Sequence, residues 1–228
     1  MLKIEKTVLP SPEQWEIIIE GMRNPMNSWY RIDSYKTFVV DAETKREVAS
    51  ELFMGENDHA LADILAGGGP VHAKYRRMIP VWVTINAPLY WWKEFDTYKV
   101  GTVCNSCSTM HKIHSKKFEI EDFSCDHLFP GTASVLNLVI DTLNTCREKY
   151  LKDKDKDLWW QLIQILPTSY NQKRTIMLNY EVLVGIYEYR RTHKLDEWRV
   201  FCKWIEELPH SDLITGGKTE DEMDESIT

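Results

Sequence analysis

Six soft or borderline metal ligands crowd one stretch of this chain: Cys104, Cys107, His111, His114, Cys125 and His127. A CxxC followed closely by HxxH is spacing that can hold zinc, because two thiolates and two imidazoles complete a tetrahedron. Standard fingers place the second pair further away on a small supporting scaffold, which this stretch lacks. The expectation is therefore solvent-facing thiols and histidines with no metal ligand assigned, and a structural zinc in loop 104–127 is the alternative. A redox CxxC would open a helix after a strand, where the thiol pKa falls. Here the pair stands in the loop context Asn105-Ser106-Cys107-Ser108.

A second constellation is cationic: Lys173 and Arg174, then Arg190 and Arg191. Apolar residues at Ile176, Tyr180, Leu183, Val184 and Tyr187 have helical spacing and predict one amphipathic helix over residues 172–191. On such a helix Lys173 and Arg191 lie five turns apart, about 27 Å along the axis, on the side of the apolar stripe. A charge there must snorkel out or meet an anionic ligand in a site shared between chains. The helix dipole alone also favours arginines at its C-terminal end. A third candidate, Gly67-Gly68-Gly69-Pro70, reads as a turn, since neither GxGxxG nor a following Gly-Lys-Ser/Thr is present to cradle phosphate.

The elements that must position these residues are legible in outline. Ser11-Pro12-Glu13 opens a helix running to about Met22, residues 36–40 form a strand, and residues 58–65 form a helix closed by the glycines. Val81, Val83 and Ile85 alternate in a strand over 79–85, and Ala87-Pro88 leads into an aromatic helix, LYWWKEF. Residues 101–127 read as an irregular polar loop with little core. Leu136, Val139, Ile140 and Leu143 share a helix face, KDKDKD at 152–157 breaks it, and further helices span 158–165 and 195–207. The expected organisation is one α+β domain over 1–209, followed by an acidic, unstructured tail over 210–228.

The 228 residues are 43% apolar and 28% charged, the balance of a soluble globular protein with enough length for its own core. No stretch approaches a membrane span and no apolar leader opens the chain, so a cytoplasmic protein without a membrane partner is expected. A formal charge of −7 argues against a nucleic-acid polymer as partner, though a local cationic patch can still hold one phosphate. Five cysteines, an odd number, fit a reducing compartment.

Taken in order, the strand ending in Ala87-Pro88, the aromatic helix, the Asn105-Ser106-Cys107-Ser108 loop, Leu166-Pro167, the basic pair with Asn179 and YRRTHKLDEW resemble the flavin-dependent thymidylate synthases over about residues 70–208. By that resemblance the central asparagine and second serine of the family's RHRxxSxNExSxR motif fall on Asn105 and Ser108, its basic residue on Lys173 or Arg174, and its later asparagine on Asn179. The late arginine, placed by Trp198, is Arg191, and His72 stands where the family has a flavin-side histidine. The resemblance implies a small, mostly antiparallel sheet packed with long helices, in a homotetramer. It implies reductive methylation of dUMP to dTMP with FAD as cofactor and methylenetetrahydrofolate and NADPH as cosubstrates, or a related pyrimidine nucleotide modification. Substrate would be held by Asn105, Ser106, Ser108, Lys173, Arg174 and Arg191, with Ser108 and Arg191 catalytic, and the cofactor by His72, Tyr98, Lys99 and Asn179.

The chain departs from the motif at Tyr98-Lys99-Val100 in place of the RHR positions, at Val103 for the first serine, at Ser106 for the glutamate and at Met110 for the last arginine. Guanidinium forks grip phosphate bidentately, which Lys99 and Lys112 replace only with point charges. A non-catalytic nucleotide-binding or interaction protein on the same fold is the alternative these losses favour.

Overall fold

The structure, a computed structural model, describes residues 1–216. Its elements in chain order are strand β1 (Lys3–Val8), helix α1 (Pro12–Arg23), strands β2 (Tyr35–Val40) and β3 (Glu47–Phe53), helix α2 (Glu56–Gly67), strand β4 (Pro80–Pro88), helix α3 (Leu89–Phe95), strand β5 (Val103–Ser106), helices α4 (Pro130–Asp153) and α5 (Lys156–Ile165), strand β6 (Asn171–Asn179) and helices α6 (Tyr180–Arg190), α7 (Asp196–Glu206) and α8 (Asp212–Thr215). Four strands form a sheet in the order β1-β4-β6-β5, and β2 pairs antiparallel with β3 in a separate hairpin. The class is α+β, a small sheet with helices, as the sequence suggests. No helix among the described residues is long and apolar enough to cross a membrane.

Local chemistry explains where the helices begin and end. The Ser11 side chain accepts from the Gln14 N–H at 3.3 Å while Gln14 Oε1 accepts from the Ser11 N–H at 2.8 Å, a capping box that starts α1 with Pro12 behind it. Between α4 and α5, Lys154 takes a left-handed conformation that ends one helix, and the Asp155 carboxylate accepts from the Asp157 N–H at 2.9 Å to start the next. The lysine–aspartate run is thus a double cap. Along β4 Val81, Val83, Ile85 and Ala87 are all buried, in step with the pleat.

The chain forms two compact units. The first comprises Met1–Lys6, Val83–Lys99 and Cys104–Ile176, and the second Thr7–Trp82, Val100–Val103 and the chain from Met177 onward. In the first unit Leu136, Ile140, Leu143 and Leu162 of α4 and α5 pack with Ile113, Phe118 and Phe123. Those last three lie in the stretch read from sequence as a polar loop with little core. Its apolar residues are isolated among serines, lysines and histidines, so no periodicity betrays them. Asn144 compensates the buried backbone by donating to the Phe118 carbonyl and accepting from its N–H, both at 2.9 Å. In the second unit Trp15 of α1 meets Tyr180 of α6 edge-on at 6.1 Å, and Trp198 and Phe201 of α7 are fully buried.

The single helix expected over 172–191 is a strand followed by a helix. Gln172, Ile176 and Leu178 are buried at a two-residue period along β6, and only from Tyr180 does the spacing become helical. The four-residue step from Ile176 to Tyr180 satisfies either reading, and the junction is set by Asn179, whose side chain accepts from the Val182 N–H at 3.1 Å. The five-turn geometry between Lys173 and Arg191 therefore does not exist. Asn179→Ala is expected to cost about 1 kcal/mol, read as a lowered midpoint in urea denaturation. A midpoint unchanged from wild type contradicts that capping role.

Helical structure also continues past residue 209, since α8 buries Leu213 and Ile214. The remainder of the expected acidic tail, residues 217–228, lies outside the described residues.

Candidate functional site

In the first unit the serine-rich loop after β5 is held against the start of β6. The Cys107 N–H donates to the Lys173 carbonyl at 2.9 Å, and Gln172 Nε2 donates to the Cys107 carbonyl at 2.8 Å. Gln172 is buried, and its Oε1 accepts from Arg174 Nε at 2.8 Å. Arg174 then reaches Asp96 Oδ1 with Nη1 at 2.6 Å and lays its guanidinium 4.4 Å from the centre of the Trp92 ring. Trp92 Nε1 closes the circuit by donating to the Gln172 carbonyl at 2.8 Å. Residues far apart in sequence thus fix the backbone at Cys107, between Ser106 and Ser108.

Those three side chains are exposed. The Ser108 hydroxyl accepts from the backbone N–H groups of Met110 (3.3 Å) and His111 (2.8 Å), which leaves its own proton to donate outward. Lys173 pairs with Glu5 beside it. The structure therefore brings Asn105, Ser106 and Ser108 together with Lys173 and Arg174, while committing the Arg174 guanidinium to Asp96 and Trp92. Tyr98 packs beside Phe95 with ring centres 6.2 Å apart, and Lys99 is exposed just beyond α3.

The remaining candidates lie in the second unit. Gly101, at φ +78°, approaches the start of α6 so closely that a Cβ there would stand 3.0 Å from Val182 Cγ2 and 3.4 Å from Asn179 Nδ2. Glycine is what lets segment 100–103, which holds two departed motif positions, reach Asn179. His72 is exposed and packs its ring over Gly68. Arg191 caps the C-terminal end of α6 and opens, with Arg76, Tyr187, Glu188 and Thr215, onto a cavity of about 290 Å³. Arg76 Nε is buried there without a hydrogen-bond partner. Tyr187 donates to Glu206 Oε1 at 2.7 Å. Burial, then that hydrogen bond and the Glu206 charge, push its hydroxyl pKa up against the opposing pull of Arg191, so the phenol stays neutral.

The cysteines and histidines of loop 104–127 do not gather. Among the described residues no three side chains of His, Cys, Asp or Glu are placed to hold a metal ion. Cys104 and Cys107 are exposed, Cys125 packs on the α4–α5 core, and the His114 ring meets Tyr150 edge-on at 4.9 Å. Burial and then the charges of Lys154, Lys112 and Arg147 hold the His114 pKa below its ordinary value.

Sequence reasoning missed Gln172, Asp96 and Arg76. The period of β6 signals Gln172 once the strand is recognised, and the run Lys74-Tyr75-Arg76-Arg77 signals a basic turn. Nothing local marks Asp96 as the partner of a residue 78 positions away.

No protein-family model and no curated protein matches the sequence. Solved structures do match the fold. The flavin-dependent thymidylate synthase ThyX from Helicobacter pylori, in complex with FAD and dUMP, superposes with a TM-score of 0.65 at 15% identity, over 96% of this chain and 99% of that one. A second structure of the Helicobacter pylori protein with FAD and dUMP gives 0.62 at 14% identity, over 93% and 94%. The UMP/dUMP methylase PolB from Streptomyces cacaoi, bound with 5-Br dUMP, gives 0.57 at 11% identity, over 95% and 94%. The chain has the fold of the flavin-dependent thymidylate synthases along nearly its whole length.

Proposed function

We propose that this chain is a divergent flavin-dependent thymidylate synthase-like enzyme that binds dUMP, or a closely related pyrimidine nucleotide, and methylates its base. The observation that carries this reading is the polar segment from Asn105 and Ser106 at the end of β5 to Ser108, fastened at Cys107 to Lys173, on a fold whose solved examples include FAD and dUMP complexes. Ser108 donates its free proton to a phosphate or carbonyl oxygen, Asn105 and Ser106 supply amide and hydroxyl groups beside it, and the Lys173 ammonium adds charge. Arg191 provides a guanidinium fork for the nucleotide. Such a site works by orientation rather than through a strong nucleophile.

The exposed Lys99 ammonium, the His72 ring, Tyr98 and the Asn179 side-chain amide fit a flavin dinucleotide by donor type, offering cation, aromatic face and amide. When bound, FAD supplies the hydride that completes a reductive methylation. Methylenetetrahydrofolate as carbon donor, NADPH as reductant, a homotetrameric assembly and a cytoplasmic location belong to the same proposal. A second reading, nucleotide binding without catalysis, is favoured by one observation: Tyr98-Lys99-Val100 and Met110 replace residues that clamp phosphate in the family it resembles.

The visible spectrum of the purified protein, taken after adding FAD and then dUMP, tests the proposal. A bound-flavin spectrum that shifts with dUMP is expected, followed by tritium release from labelled dUMP. Flavin binding without tritium release selects the second reading. A colourless protein that ignores FAD overturns the enzyme reading.

A further inference from the structure

The second unit buries a guanidinium that its ion pair does not use up. Arg23, at the end of α1, is 2% exposed; its Nε donates to Asp58 Oδ1 at 2.6 Å and its Nη1 to Ser28 Oγ at 3.3 Å. Asp58, for its part, is fully engaged, since its other oxygen accepts from the N–H groups of Asp33 (3.1 Å) and Ser34 (2.9 Å) and from the Ser34 hydroxyl (2.7 Å). Arg23 Nη2 is shielded from solvent and has no partner at all. A buried donor on a charged group, left without an acceptor, marks a place where an acceptor is missing.

Arg23 lines a cavity of about 440 Å³. Arg31 brings a second guanidinium to it and Asn57 an amide, while Tyr30, Leu61 and Ile64 supply aromatic and apolar wall. None of the described residues lining it is acidic. The Arg31 guanidinium lies 5.7 Å from the centre of the Tyr30 ring, so charged and aromatic surface stand side by side in an amphipathic lining. Tyr30 is 81% exposed and Ile64 67%, which places them at the open rim, while Arg23 Nη2 is shielded, so a ligand reaches it only when side chains of the lining move aside.

We infer that this cavity binds a small molecule carrying a phosphate or carboxylate on a flat, apolar body. An anionic oxygen accepts from Arg23 Nη2, Arg31 closes on the second oxygen, and the body lies against Tyr30, Leu61 and Ile64. None of these residues belongs to the nucleotide site proposed above, so the two readings stand or fall separately.

Isothermal titration of the full chain with phenyl phosphate and with benzoate, using phenol as the uncharged body, tests the inference. Saturable binding of at least one anion is expected, about tenfold or more tighter than phenol. Preference for phenyl phosphate identifies a phosphate ester as the ligand, and preference for benzoate a carboxylic acid. Arg23 itself holds the fold, so the variants are made at the exposed rim. Arg31→Gln is expected to weaken binding about tenfold, and Ala60→Trp, which fills the cavity from an exposed position on α2, to abolish it. Binding of neither anion, phenol bound as tightly, or full affinity in either folded variant overturns the inference.

Discussion

An Asp58→Ala chain is expected to lose about 3–5 kcal/mol of folding stability, because removing one member of a buried ion pair strands the other charge. That is a large share of the roughly 5–15 kcal/mol typical of a whole domain. Asp58 is fully buried in the first turn of α2, and its carboxylate is tied to Arg23 of α1 and to the backbone that leads into β2. The loss therefore reaches three elements at once. Burial alone would raise the Asp58 pKa, but the Ser34 hydroxyl, Arg23 and the N–H groups of Asp33 and Ser34 outweigh it and hold the value below the ordinary 3.8. A depressed native pKa places the sign: the contribution is complete above the unfolded-state pKa and is lost as pH falls through the lower native value. Urea denaturation from pH 7 down to pH 2 reads both effects. Wild type should lose stability steeply in the acid range and Asp58→Ala should lack that component. An alanine variant within about 1 kcal/mol of wild type at pH 7 contradicts the role assigned to the pair.

Legibility in the sequence followed the physics of each element. Helix α1 and the break between α4 and α5 are set by capping residues adjacent in sequence, and strand β4 by alternation over consecutive residues, so local patterns suffice. The strand-to-helix junction at Asn179 was hidden because Ile176 and Tyr180 stand four apart, which a helix also demands. The core role of Ile113, Phe118 and Phe123 was hidden for the opposite reason: their positions follow no period and depend on α4 and α5, which come later in the chain.

The candidate site divides along the same line. Side chains that would bind a ligand carry recognisable chemistry, and the Asn105–Ser108 loop and the Lys173-Arg174 pair stand together in the first unit. What holds them is invisible locally. Gln172 looks like a solvent residue yet is buried and bonded at both ends of its amide, and Asp96 gains its meaning only when β6 returns beside α3. A positioning residue is defined by long-range contacts, whereas a binding residue is defined by its own functional group.

Arg191→Met is expected to weaken dUMP binding about 10- to 100-fold, the equivalent of losing a charge-assisted hydrogen-bonded fork. Arg191 shares its cavity with Arg76, whose buried Nε has no hydrogen-bond partner, and two guanidiniums there favour an anionic group more than either alone. Glu188 on the same wall limits the net charge to one, which favours a ligand that brings its own oxygens close over one attracted from a distance. Arg191→Lys keeps the charge without the fork and should recover only part of the lost affinity. The substitution itself sits at the C-terminal end of α6, where a positive charge is favoured by the helix dipole, so stability is read beside affinity. Equilibrium dialysis with labelled dUMP, run beside thermal melts of the same variants, separates the two effects. Arg76→Met should weaken binding as well, and the double variant should lose less than the two single losses combined, since both groups face one anion. Full affinity in Arg191→Met would overturn the role proposed for Arg191 in nucleotide binding.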